Sequence, residues 1–201
     1  MISTLHYISQ GKTPKEHLEH LQKVCATGAD WVQLRLKNSD AKTILETAKA
    51  AREITTHYHA KLIINDHYQI AKAVKADGVH LGKSDACPLH ARKYLGDNFI
   101  IGGTANTLDD CNLLLDKKVD YIGLGPYRFT KTKQNLSPVL GLKGYATLLK
   151  QLQTKTPIIA IGGITIEDVS AIINTGIYGI AVSGALTNNS TSIINFQKIL
   201  N

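Results

Sequence analysis

The sequence predicts an α/β protein, a single (β/α)8 TIM barrel over residues 1–201, and three observations carry that prediction. A short apolar run, a turn and a stretch of helical period recur about eight times with no linker or low-complexity break. Several of the apolar runs are continuous rather than alternating, as strands covered on both faces of a parallel sheet are. Helix start signals fill the intervals between them. A closed barrel fits this rhythm better than an open doubly wound sheet, although periodicity alone does not establish closure. At 201 residues the chain is lean for a barrel, whose usual size is about 250.

Strands are expected at Thr4 to Ile8, Trp31 to Leu36, Leu62 to Ile64, Gly78 to Leu81, Phe99 to Gly102, Tyr121 to Gly125, Ile158 to Ile161 and Gly179 to Val182. The first intervening helix opens with Thr13-Pro14-Lys15-Glu16, an N-cap, a proline at the first helical position and a capping-box Glu; Leu18, Leu21, Val24 and Cys25 follow at helical spacing. Thr107 with Asp110 and Thr165 with Asp168 repeat the hydroxyl-to-carboxylate spacing, so these acids are read as helix starters. The helix after Thr165 puts Val169, Ile172 and Ile173 on one face and is expected to stop at Gly176.

Composition narrows the function classes. With 43% hydrophobic and 19% charged residues, the chain reads as an ordinary globular protein. Met1 to Leu5 shows no leader pattern, and no apolar run approaches the roughly 18 residues of a membrane span. A cytoplasmic location is the expectation. Lys and Arg exceed Asp and Glu by seven, 23 against 16. No basic stripe is interleaved with aromatics, so an anionic small substrate explains the excess better than nucleic acid. Cys25, Cys87 and Cys111 have no paired-ligand spacing and are read as reduced thiols. A homo-oligomer stays open.

In a parallel barrel chemistry gathers beyond the strand ends. The third strand stops at Asn65-Asp66 and the fourth at Lys83-Ser84-Asp85. Neighbouring strands would bring both carboxylates to one rim, which suggests a hard cation and, with it, phosphate. Strand alternation sets Gln33, Arg35 and Lys37 on one face of an otherwise apolar strand, where two cations need an anionic partner. Gly123 to Lys133 opens the longest loop; Arg128 to Lys133 holds two hydroxyls and three cations, suited equally to phosphate oxygens and to a solvated basic loop. Gly162-Gly163 after the seventh strand and Ser183-Gly184 after the eighth fall where barrels often hold phosphate, and Thr104 adds a hydroxyl after the fifth. His17 and His20 share a helix face and are read as solvated, His80 as a core or orienting histidine.

These segments resemble the thiamine phosphate synthase family. VQLRLK, LIINDHYQIA, ADGVHLGKSD, GPYRFTKTK and AIGGIT occur in that order, within a similarity running from Tyr7 to Ser183. The resemblance implies a (β/α)8 transferase that joins 4-amino-5-hydroxymethyl-2-methylpyrimidine diphosphate to 4-methyl-5-(2-hydroxyethyl)thiazole phosphate. The products are thiamine phosphate and pyrophosphate, and Mg2+ is the cofactor. It implies Gln33, Arg35, Lys37, Asn65, Thr104 and Lys133 on the pyrimidine diphosphate, with Arg35, Lys37 and Lys133 assisting its departure. Asp66 and Asp85 would hold Mg2+, and Thr130, Thr132, Gly163, Ser183 and Gly184 the thiazole phosphate. The chain departs from the family pattern at Lys83, where Gln is usual, at Thr104, where Ser is usual, and in the register of Ser183-Gly184. A thiazole tautomerase-like enzyme of the same fold, a non-catalytic binder of thiamine precursors and a basic nucleic-acid module are the alternatives. The Asp66 and Asp85 pair and the Thr130 to Lys133 loop favour the synthase over the tautomerase.

Overall fold

The computed structural model of the chain describes residues 1–129 and 138–200. Eight parallel strands close into a barrel in sequence order. They are β1 (Leu5–Ile8), β2 (Trp31–Leu34), β3 (Lys61–Asn65), β4 (Gly78–Leu81), β5 (Ile100–Ala105), β6 (Tyr121–Leu124), β7 (Ile158–Ile161) and β8 (Gly179–Val182). Helices α1 (Pro14–Ala26), α2 (Ala41–His57), α3 (Tyr68–Ala73), α4 (Pro88–Leu95), α5 (Leu108–Asp116), α6 (Gly141–Gln151), α7 (Val169–Ile173), α8 (Gly184–Asn188) and α9 (Ile193–Leu200) complete it. Every strand interval contains at least one helix, so closure, the step that periodicity left undecided, is settled in favour of the barrel.

The expected helix starts are present. Thr13 accepts from the Glu16 N–H at 3.2 Å, while Glu16 reaches back one residue further than a capping box requires, to the Lys12 N–H at 2.7 Å. Thr107 with Asp110 and Thr165 with Asp168 form complete capping boxes. Around Gly176 the helix ends earlier than expected, at Ile173; Gly176 takes a left-handed turn of φ +96° beyond it.

Alternation divides the strand residues between two cores. One set packs outward against the helices, including Val32, Leu62, Ile64, Val79, Ile101, Ile122, Ala160 and Ile180. The inward set forms a smaller cluster of Trp31, Ile63, Tyr121, Ile159 and Ala181. His6 joins it, stacked on Trp31 with ring centroids 4.4 Å apart. Gly102 makes room for the Tyr121 ring, since a Cβ there would lie 2.1 Å from Tyr121 Cζ. The barrel is therefore plugged by aromatic and imidazole rings, and any ligand must sit above them at the rim.

Two strand ends differ from expectation in ways that matter for the rim. β2 stops at Leu34 rather than Leu36, and β5 runs on to Ala105, which takes Thr104 into the strand. Among the described residues no helix is long and apolar enough to cross a membrane.

Candidate active site

Asn65 and His80 are register partners in β3 and β4, so the next residues of both strands emerge side by side. Asp66 follows at once, donating its N–H to the His80 carbonyl at 2.8 Å with φ at +65°. A left-handed non-glycine residue costs on the order of 1 kcal/mol, which Asp tolerates better than most. Asp85 is held by a tight turn in which its Oδ2 accepts the Gly82 N–H at 2.6 Å. The two carboxyl groups are close enough for each to shift the other's protonation. Burial, and then Asp66, push the Asp85 carboxyl above the usual carboxylate range. Burial also pushes Asp66 up, but its contacts with Asp85 and the Lys37 ammonium outweigh it and leave Asp66 below that range. Two adjacent carboxylates with opposed shifts are an electrostatic problem that a divalent cation would relieve.

No group of three or more His, Cys, Asp or Glu gathers among the described residues. Two carboxylates would suit a magnesium ion that also takes phosphate oxygens and water as ligands, and would suit a closed structural site poorly.

Gln33, Arg35 and Lys37 share this rim, though not as one strand face. Alternation holds for Gln33, which is inward and buried near Tyr121. Because β2 has ended, Arg35 and Lys37 are presented by coil: Arg35 is partly buried and feels the Asp66 charge, and exposed Lys37 forms an ion pair with Asp66. Asn65 is buried, and its Nδ2 has no partner among the described residues. An orphaned donor beside two cations suits a ligand rich in acceptors.

The fifth strand contributes Thr104, whose Oγ1 hydrogen-bonds His80 Nε2 at 2.9 Å; His80 Nδ1 meets the Tyr121 hydroxyl at 3.0 Å. His80 is thus a buried orienting histidine in the inner core, as its strand position suggested. Thr104 and Asp85 share the wall of a cleft of about 260 Å3 with Lys83, Asp110 and Lys117. Lys83 turns across that cleft to Asp110 at 2.5 Å.

After β7, Gly162 and Gly163 both have positive φ, +104° and +68°. Tyr127 and Arg128 donate their N–H groups to the Ile161 and Gly162 carbonyls at 2.8 and 2.9 Å, which lays the segment after β6 along this turn. A Cβ on Gly162 would stand 2.8 Å from Pro126 Cβ. Arg128 is one of the three loop cations, but its guanidinium is engaged by Asp168 at 2.7 Å and by the Gly163 carbonyl at 3.2 Å. Ile161 and Ala181 are register partners, so Gly163 and Ser183 stand equally far beyond the paired strands. The Ser183 hydroxyl donates to Gln10 Oε1 at 3.2 Å, and Gly184 begins α8. Thr130, Thr132 and Lys133 lie outside the described residues.

The reading of His17 as solvated is corrected by the fold. His17 is buried rather than solvated and hydrogen-bonds Ser9 Oγ at 2.8 Å; His20 is half-buried, with its Nδ1 on the Gln10 carbonyl at 2.7 Å. Ser9 and Gln10, at the end of the first strand, were not singled out by the sequence, since neither carries a charge nor belongs to a glycine-rich turn. The thiols behave as read: burial pushes Cys25 up to about 12 and Cys111 up to about 11, and all three cysteines are free.

The chain is similar to known proteins over nearly its whole length. The family described as "Thiamine monophosphate synthase" matches residues 5–186. A thiamine-phosphate synthase of Flavobacterium psychrophilum is 47% identical over 192 residues, covering 94% of this chain and 93% of the relative. One from Bacteroides fragilis is 42% identical over 201 residues, covering 98% of each. Among solved structures, a thiamine phosphate pyrophosphorylase from Pyrococcus furiosus superposes with a TM-score of 0.85 at 30% identity, covering 98% of this chain and 95% of that one.

Proposed function

The chain belongs to the thiamine monophosphate synthase family, and from that premise we propose that it condenses the pyrimidine diphosphate with the thiazole phosphate, releasing pyrophosphate, in a Mg2+-dependent alkyl transfer. The observation that carries the proposal is the meeting of Asp66 and Asp85 at the ends of adjacent strands, with Arg35 and Lys37 beside them.

Asp66 and Asp85 would hold the magnesium ion, which supplies charge neutralisation to the departing diphosphate. Arg35 and Lys37 add fixed positive charge on one side of the same group, and Lys133 is proposed to add more. Negative charge grows on the leaving oxygens as the C–O bond at the pyrimidine methylene lengthens, so these cations stabilise the transition state more than the bound substrate. Asn65 Nδ2 and the Gln33 amide orient the pyrimidine diphosphate, and Thr104, held by His80, offers a hydroxyl to it. The Gly162-Gly163 turn and the Ser183-Gly184 segment receive the thiazole phosphate, together with Thr130 and Thr132, so that the thiazole nitrogen attacks the electron-poor methylene carbon. The nitrogen attacks with its own lone pair, and no protein base is required.

Incubating the purified chain with both phosphorylated precursors and Mg2+ tests the proposal. Thiamine phosphate and pyrophosphate should form in equal amounts, and absence of both products in the presence of folded protein would overturn it. Replacing Lys133 with Met should slow a single turnover; an unchanged single-turnover rate would remove Lys133 from the mechanism.

A further inference from the structure

The first strand ends in a device that none of the roles above uses. Ser9 follows β1 directly, and it grips β2 at two points. Its N–H donates to the Gln33 carbonyl at 2.9 Å, and its Oγ accepts the Arg35 N–H at 3.0 Å. The Arg35 amide lies just past the last ladder position of β2, so no neighbouring strand supplies its acceptor. Ser9 is buried, and its hydroxyl proton needs an acceptor of its own. With one lone pair on Arg35, Ser9 points that proton at His17 Nδ1, 2.8 Å away in α1.

His17 is fixed in turn. A Cβ on Gly11 would fall 2.9 Å from the His17 N and 3.0 Å from its Cδ2, so the loop packs directly against the ring. A neutral ring, unprotonated at Nδ1, is the form this geometry requires.

We propose that Ser9 and His17 are positioning residues that hold the Gln33–Arg35 strand end, and through it the Arg35 guanidinium, in place for the diphosphate. The inference rests on the reading of Arg35 as a diphosphate ligand. It adds that the geometry of that ligand is set from α1, through one buried hydroxyl.

Steady-state kinetics on Ser9→Ala provides the test. KM for the pyrimidine diphosphate should rise ~10-fold, as a displaced binding group does. KM for the thiazole phosphate should change by less than about two-fold, and in an Arg35→Gln background Ser9→Ala should add less than about two-fold to the loss. An equal rise in both KM values, no rise in either, or full additivity with Arg35→Gln would overturn the proposal. If Ser9→Ala does not fold, His17 decides: His17→Gln, which keeps an acceptor, should retain the wild-type KM, and His17→Phe should not. Equal behaviour of those two variants would overturn it. Amide exchange at Arg35, faster in Ser9→Ala or His17→Phe than in wild type, reads the clamp without turnover. A wild-type protein lacking synthase activity would therefore count against the proposed function alone, while unchanged Arg35 exchange would count against the clamp alone.

Discussion

The carboxyl groups of Asp66 and Asp85 are close enough for each to shift the other's protonation, although 19 positions separate them in sequence (85 − 66). Adjacent parallel strands create that proximity, and the left-handed turn at Asp66 aims one member of the pair at the other. Replacing either by Asn removes a charge without changing its volume. Asp66→Asn and Asp85→Asn should each lower turnover by ~100-fold or more, the scale of removing a preorganised charge from a reacting centre. A Mg2+ titration at fixed substrate checks this: each variant should need more Mg2+ and should saturate below the wild-type rate. Circular dichroism should show both still folded.

Lys37 pairs with Asp66 from an exposed position, so its part in stability is small; exposed pairs contribute about 0–1 kcal/mol. Lys37→Met should leave the melting temperature nearly unchanged and raise KM for the pyrimidine diphosphate by roughly 10-fold, the loss of one charge-assisted contact. Thermal melts beside initial-rate kinetics separate the two effects.

Gly162 combines φ +104° with a Cβ position 2.8 Å from Pro126 Cβ. Gly162→Ala should destabilise the protein by about 1–3 kcal/mol, from backbone strain together with the steric contact. Because Tyr127 and Arg128 are bonded to the same turn, KM for the thiazole phosphate should rise more than KM for the pyrimidine diphosphate. Urea unfolding and the two KM values report these outcomes.

Inside the barrel, burial holds His6 down to about 3, against its ordinary 6.5. The unfolded chain takes up the His6 proton below pH 6.5 and the folded one only near 3. The stability this neutral histidine contributes is therefore complete above pH 6.5 and declines as pH falls through the window between those values. His17, lowered by burial, acts in the same direction. Denaturant midpoints should fall steadily from pH 6.5 toward 4, with a shallower slope in His6→Gln. Trp31, the only tryptophan, is stacked on His6 and supplies the fluorescence signal.

Sequence alone determined the eight strand-and-helix units and most of the rim residues, while closure of the barrel came from the fold. Eight apolar runs and their helix starters are local patterns, and a parallel sheet buried on both faces leaves a strong compositional trace at Leu62 to Ile64 or Ile158 to Ile161. Rim residues such as Asp66, Asp85 and Gly163 were legible because strand ends are legible and the rule that chemistry collects there is general.

Tertiary structure decided what depends on register and on chain ends meeting. Alternation extended β2 to Leu36, whereas the Ser9 hydroxyl, not a strand partner, accepts the Arg35 N–H. Helical spacing placed His17 beside His20, and only the packing of α1 against the β1 loop shows the first buried and the second half-buried. The sequence names no partner for Lys83 or Arg128, and the fold brings Asp110 and Asp168, both helix starters, against them. In each case the deciding partner lies on another element, and a hydrogen bond formed across the fold leaves no periodicity in the sequence to read.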